Sequence, residues 1–524
     1  MRLGAVPLLS LLLLTLPVGA ALIWLVPQRR WARWIALAAT LADLAVSLLV
    51  LACFDARDPG FQLVERRPWM PTLNVHYAVG VDGISVLFLP LAALLFIGVI
   101  LGSWTQVRTM QRLYFTLLLL LESATLGIFL SLDTMLFFLF WELSLVPLFF
   151  LVSLWGVGAN RRYAATKYSL LMLVGGVPLL FAFLVLAFNH AALSGLGIPG
   201  GLSFDYQTLL GTPLPDHLEL LVFVLLVLGF GVKTPLFPLH TWLPLVAAEG
   251  PVGVAALMTG LKLGAYGLIR FLVPLAPGAA SKLQWLLIGL GVIGLLYGAL
   301  AALAQTNLRR MLAFGSLSHA GLVVLGIATL NLSGIQGALF QLLNFTMVAG
   351  GLFLLTGFIH HRTGSTEAAS LGGLARTMPL LTGFFLLLGL ASFGLPGTSG
   401  FPAELLLILG ALEAHTGAGL AALLSTVLGA AYFLGLYRRA FLGPVANPVV
   451  AESKDLRPKE LTVALGLTLL VLLPGIYPQG VLDLTRAATM AWLAQVGGTP
   501  MAKVETPRTT RTKVPPRPPR PDPT

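Results

Sequence analysis

The sequence predicts an all-α polytopic membrane protein, with about fourteen transmembrane helices of which two are broken at mid-depth. Of its 524 residues, 57% are hydrophobic and only 10% charged, a balance outside the soluble range. The apolar residues gather in stretches close to the ~20 residues that a spanning helix needs. Alternating polarity is scarce and the stretches are too long for barrel strands, which leaves helices, whose backbones satisfy themselves in lipid.

The stretches run over residues 3–26, 35–54, 84–104, 113–132, 134–156, 168–188, 218–236, 252–274, 283–303, 311–330, 335–359, 379–410, 419–437 and 461–478. The gaps between them hold no soluble domain. The first opens like a signal peptide, with Arg2 before an apolar run, but the run continues through Leu25 and reads as an uncleaved helix. Segment seven contains FGVKTPLFPLHTWLP, with Pro235, Pro238 and Pro244, and segment twelve contains FGLPGTSGFPAELLL, with Pro396, Gly397, Gly400 and Pro402. Proline removes a backbone donor and disfavours helix in the residue before it. Both breaks follow Phe-Gly and precede Phe-Pro, and interrupted helices in corresponding places mark an inverted-repeat transporter.

The net charge is +11, but it is not a nucleic-acid signal, because its distribution alternates. Seventeen Lys and Arg lie after segments 1, 3, 5, 9, 11 and 13, among them Arg29, Arg112, Arg161, Arg309, Arg362 and Arg439. The other side carries six before the tail: Arg2, Arg57, Arg66, Arg67, Lys282 and Arg486. The positive-inside rule then places the first side in the cytoplasm and both termini outside. The tail at 498–524 is rich in Pro and Arg and reads as disordered. The single cysteine, Cys53, excludes a disulfide within the chain and a Cys-ligated iron–sulfur cluster or zinc finger. No His pair has metal-ligand spacing within a span; adjacent His360 and His361 sit at a helix end. Gly195–Gly200 matches a dinucleotide pattern but follows a membrane helix rather than a strand. No Walker motif is present.

Against this background, ionisable residues inside the apolar stretches carry the functional signal. A charge at mid-membrane costs roughly 2.5–3.5 kcal/mol on insertion scales. Glu142 lies in FFLFWELSLVPLFFL, Lys233 immediately before the Thr234-Pro235 break, and Lys262 with about ten apolar residues on either side. A buried lysine holds its proton most firmly beside a carboxylate and releases it when that carboxylate moves away, so Glu142 and Lys233 form a candidate two-state switch; the plainer reading is a salt bridge between helices. Glu404 follows the second break, where a restarting helix favours an anion and a capping role is the alternative. Glu122, His240 and His319 are candidate relays, with His240 expected to contact the unwound backbone and His319 to pack or bond a serine. Trp141 and Trp242 read as packing residues. Together these residues suggest a buried path for protons or small cations.

The motifs VDGIS (81–85), FWELSLVPLFFLVSLWG (140–156), NRRYAATKY (160–168), FGVKTPLFPLHTWLP, LKLGAYGLIRF (261–271), LRRMLAFGSLSHAG and GLPGTSGFPAE resemble the antiporter-like subunit M family of proton-translocating NADH:quinone oxidoreductase, respiratory complex I. The resemblance covers about residues 75–480. It implies fourteen helices with two inverted five-helix repeats, giving helices 1–3 over 1–112, a first repeat over 113–274, a second over 283–442, and a last helix with a C-terminal segment over 443–497. It further implies that Glu142, Lys233, Lys262 and Glu404 line a proton path in a translocase subunit that holds no redox centre. Flavin, iron–sulfur clusters and quinone are then expected in other subunits, the partners are L-type and N-type membrane-arm subunits, and the location is a bacterial inner membrane. Three positions depart from the family pattern. HTWLP is usually followed by Asp-Ala-His, where this chain has Leu245, Val246 and Ala247, and Asn-His usually stands where it has Asn344-Phe345. A subunit of a cation/proton antiporter or hydrogenase-type complex, and a divergent copy serving as scaffold, are the competing readings.

Overall fold

The computed structural model describes residues 7–445 and 447–497; the tail at 498–524 and Arg2 lie outside the described residues. Among the described residues eleven helices are long and apolar enough to cross a membrane, and twelve if the Ala368–Thr377 and Pro379–Ser392 pair, bent by 113°, counts as one span. Three expected segments fall outside the eleven, each for a visible reason. Phe88–Gly102 has only 15 residues. Asp216–Lys233 carries Asp216, Glu219 and Lys233 in its 18 residues. The 379–410 stretch divides into Pro379–Ser392 and Gly400–Ala414.

The bundle is built around Leu332–Thr363, in which every residue from Gly334 to Ile359 is buried. Gly400–Ala414, Val252–Gly260 and Leu308–Ala328 pack against it. Small residues allow the closest approaches, as they do in lipid generally. A Cβ on Gly337 would stand 2.7 Å from the Leu407 amide nitrogen, and one on Gly291 2.8 Å from that of Leu325. Arg161–Ser194 runs for 34 residues, about 51 Å at 1.5 Å per residue. It therefore exceeds the ~30 Å hydrocarbon thickness, and Gly195 ends it in the left-handed conformation (φ 69°).

The expectation of helices throughout fails between segments two and three. Gln62–Met70 and Val75–Val81 form an antiparallel hairpin. Val75, Tyr77, Val79 and Val81 alternate along the second strand, a period-two pattern that the span-length search passes over. The hairpin fastens helix ends on one face of the bundle. The Glu65 carboxylate accepts from the amides of Leu9 (2.8 Å) and Ser10 (3.1 Å), capping the first helix. Asp133 accepts from the His76 amide (3.0 Å) while capping Thr134–Leu143. On the opposite face basic residues close the loops: Arg112 donates to the Val26 carbonyl (2.6 Å), Lys459 lies 4.2 Å from the centre of Trp104, and Arg362 pairs with Glu460.

At the hairpin end, Arg270 and Asp82 make a bidentate ion pair, 2.7 Å for Nη1–Oδ2 and 2.5 Å for Nη2–Oδ1, with both side chains 6% exposed. Arg270 sits in a π-helical turn, Leu268–Leu272. The final described helix, Gln479–Val496, crosses over this turn, and the Trp492 indole donates to the Ile269 carbonyl (2.8 Å). Removing one partner of such a pair strands the other charge. Asp82→Ala is expected to cost about 3–5 kcal/mol, seen as a lower midpoint for heat-induced loss of the protein in detergent. Asp82→Ala with Arg270→Met should recover part of the loss; an unchanged midpoint in Asp82→Ala would contradict the assignment.

Candidate functional site

The Asp216–Lys233 helix stops where expected. Thr234 precedes proline, Thr234–Thr241 is non-helical, and helix resumes at Trp242. The Trp242 indole donates to the Val232 carbonyl (2.8 Å), one of the acceptors at the helix end, so Trp242 does more than pack. Lys233 Nζ donates to Ser144 Oγ (2.9 Å) and the Trp141 carbonyl (3.4 Å), and lies 3.9 Å from the centre of the Trp141 ring. Trp141 is thus a cation–π seat for the lysine. Ser144 stands at the junction of Thr134–Leu143 and Leu145–Trp155.

Glu142, two residues before that junction, does not form the interhelical salt bridge considered from sequence. No ion pair within 4.0 Å joins it to Lys233. Its carboxylate lies instead along Gly176 of the long helix, in space that a Cβ at 176 would fill. Glu142 and Lys233 are half-buried neighbours, and the lysine's bonding partners are neutral groups.

Segment eight, expected to be continuous over 252–274, is also broken. Val252–Gly260 ends, Lys262 takes φ −80° and ψ 59°, and helix resumes at Leu263. The two breaks touch. A Cβ on Gly264 would meet the Thr234 amide and hydroxyl, and one on Gly267 would overlap the Phe230 ring. Between Lys233 and this second break lies a small cavity whose walls include Thr125, Tyr168, Leu257 and Leu261.

Beyond it, Lys262 is buried and donates to the Ser316 carbonyl (3.1 Å) and, more closely, to Ser316 Oγ. His319, one turn further along Leu308–Ala328, is buried with Nδ1 3.5 Å from Gln341 Nε2 and Nε2 3.5 Å from the Tyr432 hydroxyl. Gln341 Oε1 accepts from Asn344 (3.3 Å), and Asn344 Oδ1 accepts from Ser399 (2.7 Å) in the segment-twelve break. Phe345, where the family pattern has histidine, stands with its ring centre 4.4 Å from that of His319 and 5.9 Å from Lys262 Nζ. Glu404 is buried on the restarted helix, touches Gly394 across the break, and accepts from Thr426 (3.2 Å). It makes no helix-capping bond.

Two expected relays stand apart from this chain of contacts. His240 packs its ring on Phe237 and edge-on to Tyr297, and its Nδ1 has no partner. The expected bond to unwound backbone is therefore absent, because the surrounding rings fill the space around it. Glu122 is fully buried against Thr40 on the second helix. Sequence reasoning missed Ser144, Ser316, Gln341, Ser399 and Thr426. Small neutral polar residues are common in packed membrane helices, and no local pattern separates these from the rest.

The fold and its broken, charge-bearing helices define an antiporter-like polytopic membrane subunit, and comparison with known proteins gives the family. Residues 131–429 match the family described as NADH:quinone oxidoreductase/Mrp antiporter, transmembrane. The NAD(P)H-quinone oxidoreductase chain 4 1 of Synechococcus sp. (strain JA-2-3B'a(2-13)) is 39% identical over 94% of this chain and 93% of the relative. Subunit M of the NADH-quinone oxidoreductase of Rhodobacter capsulatus is 36% identical over 90% and 93%. A chain of respiratory complex I from Thermus thermophilus with bound NADH superposes with a TM-score of 0.84 at 34% identity, covering 94% of this chain and all of that one. The chain belongs to the NADH:quinone oxidoreductase/Mrp antiporter transmembrane-subunit family. A chain of the Mrp complex from Dietzia sp. shares the fold, with a TM-score of 0.79 at 22% identity.

The contact between the two breaks is testable. Gly264→Val forces the Lys262 segment off the Thr234 backbone, and overpacking of this kind costs typically 1–3 kcal/mol. A lower heat-stability midpoint of the purified protein is expected, and an unchanged one would contradict the close approach.

Proposed function

We propose that the chain is a proton-translocating membrane-arm subunit of an NADH:quinone oxidoreductase, moving protons across the membrane while electrons pass from NADH to quinone in other subunits. The observation that carries this reading is the state of four ionisable groups. Glu142, Lys233, Lys262 and Glu404 lie within apolar segments, and none has an ion-pair partner among the described residues. Three of them adjoin helix breaks. Such charges are expensive in lipid and mark ion pathways by default.

Lys233 rests on a hydroxyl, a carbonyl and an indole face, so a displacement of Glu142 toward or away from it meets no competing carboxylate. Approach steadies the ammonium; withdrawal leaves it poised to pass its proton across the Thr125–Tyr168 cavity toward Lys262. From Lys262 the route runs by Ser316 and His319 to Gln341, Asn344 and Ser399, with Glu404 as the terminal acid and Tyr432 beside His319. Phe345 narrows the passage, so transfer there runs along the hydroxyl and amide side. Glu122 and His240 are off this line. Moving each charge against 100 mV requires ~2.3 kcal/mol. In this reading that energy comes from quinone reduction elsewhere in the complex, where flavin, iron–sulfur clusters and quinone reside, and this chain carries no redox centre.

The same reading completes the architecture. Phe88–Gly102, Asp216–Lys233 and the divided 379–414 segment join the eleven longer helices to make fourteen, with repeats over 113–274 and 283–442. The Phe-Gly that precedes each break, at Phe230-Gly231 and Phe393-Gly394, supports the correspondence. The basic loops face the cytoplasm of a bacterial inner membrane, the hairpin and both termini lie outside, and L-type and N-type subunits flank the chain.

Proton pumping driven by NADH in inverted membrane vesicles tests this, with assembly followed by native gel. Lys233→Ala should assemble and lose pumping; if it assembles and pumps normally, the chain is a scaffold or serves another assembly. Ser316→Ala removes a hydrogen bond to a charged group, worth about 1.5–3 kcal/mol. It should slow pumping by roughly tenfold or more in an assembled complex, and an unaltered rate would remove Ser316 from the route.

A further inference from the structure

A second group of buried acids lies among the N-terminal helices. Asp43 is the twelfth of 22 residues in Ala32–Cys53, and Glu122 the twelfth of 20 in Gln111–Leu130, so both sit at the middle of packed neighbouring helices. Both are fully buried and close enough for their charges to interact. Thr40 Oγ1 donates to Glu122 Oε2 (2.8 Å). Thr40, Asp43 and Ser47 follow one another at i, i+3 and i+7, on one helix face. Four oxygens in this cluster are buried without a partner: Asp43 Oδ1 and Oδ2, Glu122 Oε1 and Ser47 Oγ. Buried polar atoms are almost always bonded, and carboxyl oxygens set side by side can meet that need by holding a proton between them.

The surroundings define its charge. The neighbouring helices Leu8–Leu25, Phe88–Gly102 and Leu145–Trp155 contain no titratable residue, and Thr134–Leu143 contains only Glu142. On the helices of the pair, Arg33 and Arg112 are each ten residues away, about 15 Å along a helix. Arg29, Arg30 and Lys459 stand with them at that end, and Glu65, Arg66, Arg67, His76 and Tyr77 belong to the hairpin at the other. Among the described residues no cation reaches the carboxyl groups. Two bare carboxylates at this depth would repel each other with nothing to offset the charge.

We infer that Asp43 and Glu122 form a binding site for one monovalent cation, a proton shared between the two carboxyl groups, at mid-depth in the membrane. One carboxyl group donates its O–H to the other, while Thr40 bonds the remaining Glu122 oxygen. The pair carries one negative charge instead of two. It stands one helix from the Lys233 cavity, since Leu121 and Thr125, which line that cavity, belong to the Glu122 helix. The site rests on the membrane placement of these helices and not on the Glu142–Lys233 switch, so either can fail alone.

Infrared difference spectroscopy of the assembled complex between acid and alkaline pH, in water and in deuterium oxide, reads the shared proton directly. A protonated-carboxyl C=O band that shifts on deuteration should be present in the wild type and lost in both Asp43→Asn and Glu122→Gln. Thr40→Val, which retains both acids, should displace the band without abolishing it and serves if either acid variant fails to assemble. A band that persists unchanged in all three variants, or its absence from the wild type, overturns the proposal. Heat stability in sodium chloride against choline chloride separates the cations. Equal midpoints are expected, whereas a sodium-specific rise abolished by Asp43→Asn would make sodium the occupant and overturn the shared proton.

Discussion

The organisation of this protein follows from the requirement that a backbone interrupted inside lipid must find its hydrogen bonds in protein or water. Three segments are interrupted, after Lys233, at Lys262 and before Glu404. Each break is enclosed by neighbours of unusual closeness: Gly264 against Thr234, Gly267 against Phe230, and Gly394 against Glu404. The absence of side chains at these positions lets one unwound stretch cover another, and the indole of Trp242 covers a further carbonyl. Without those approaches the breaks would be exposed to hydrocarbon and the lysines would have no polar setting.

A second regularity is the neutrality of the groups that hold the buried charges. Lys233 is bound by a hydroxyl, a carbonyl and an aromatic face, Lys262 by a serine, and Glu404 by a threonine. The buried ion pairs, Arg270 with Asp82 at the hairpin end and Arg362 with Glu460 at the opposite face, serve the frame. A carboxylate fixed against either lysine would fix its proton too. Hydroxyls and amides support the charge without a fixed countercharge, and they can both accept and donate.

Much of this was legible in the chain. Span length and hydropathy found the helices, and Pro235, Pro238, Pro396 and Gly397 found two of the three breaks, because proline acts through local covalent geometry. The break at Lys262 escaped, since LKLGAYG contains no proline and the helix yields there through tertiary contact with Thr234. The hairpin escaped because two short strands make a weaker signal than a run of twenty apolar residues. Glu142, Lys233, Lys262 and Glu404 stood out as charges among apolar neighbours. Asp43 carries the same signal in LAATLADLAVSLL yet was passed over, and only its proximity to Glu122 gives it meaning. The partners Ser316, Asn344 and Ser399 come from three different segments, and their meeting is a property of the packing alone.

Segments far apart in the chain are fastened to each other at both faces of the bundle. On the hairpin side Gln479–Val496 is bonded through Trp492 to Ile269 and receives Gln336 at its Leu482 carbonyl (3.3 Å). On the opposite side Arg309 reaches across to the Gly250 carbonyl. These bonds tie residues far apart in the chain to one another at each face. Movement of the interior side chains and unwound backbone then takes place between two faces whose helix ends are tied together.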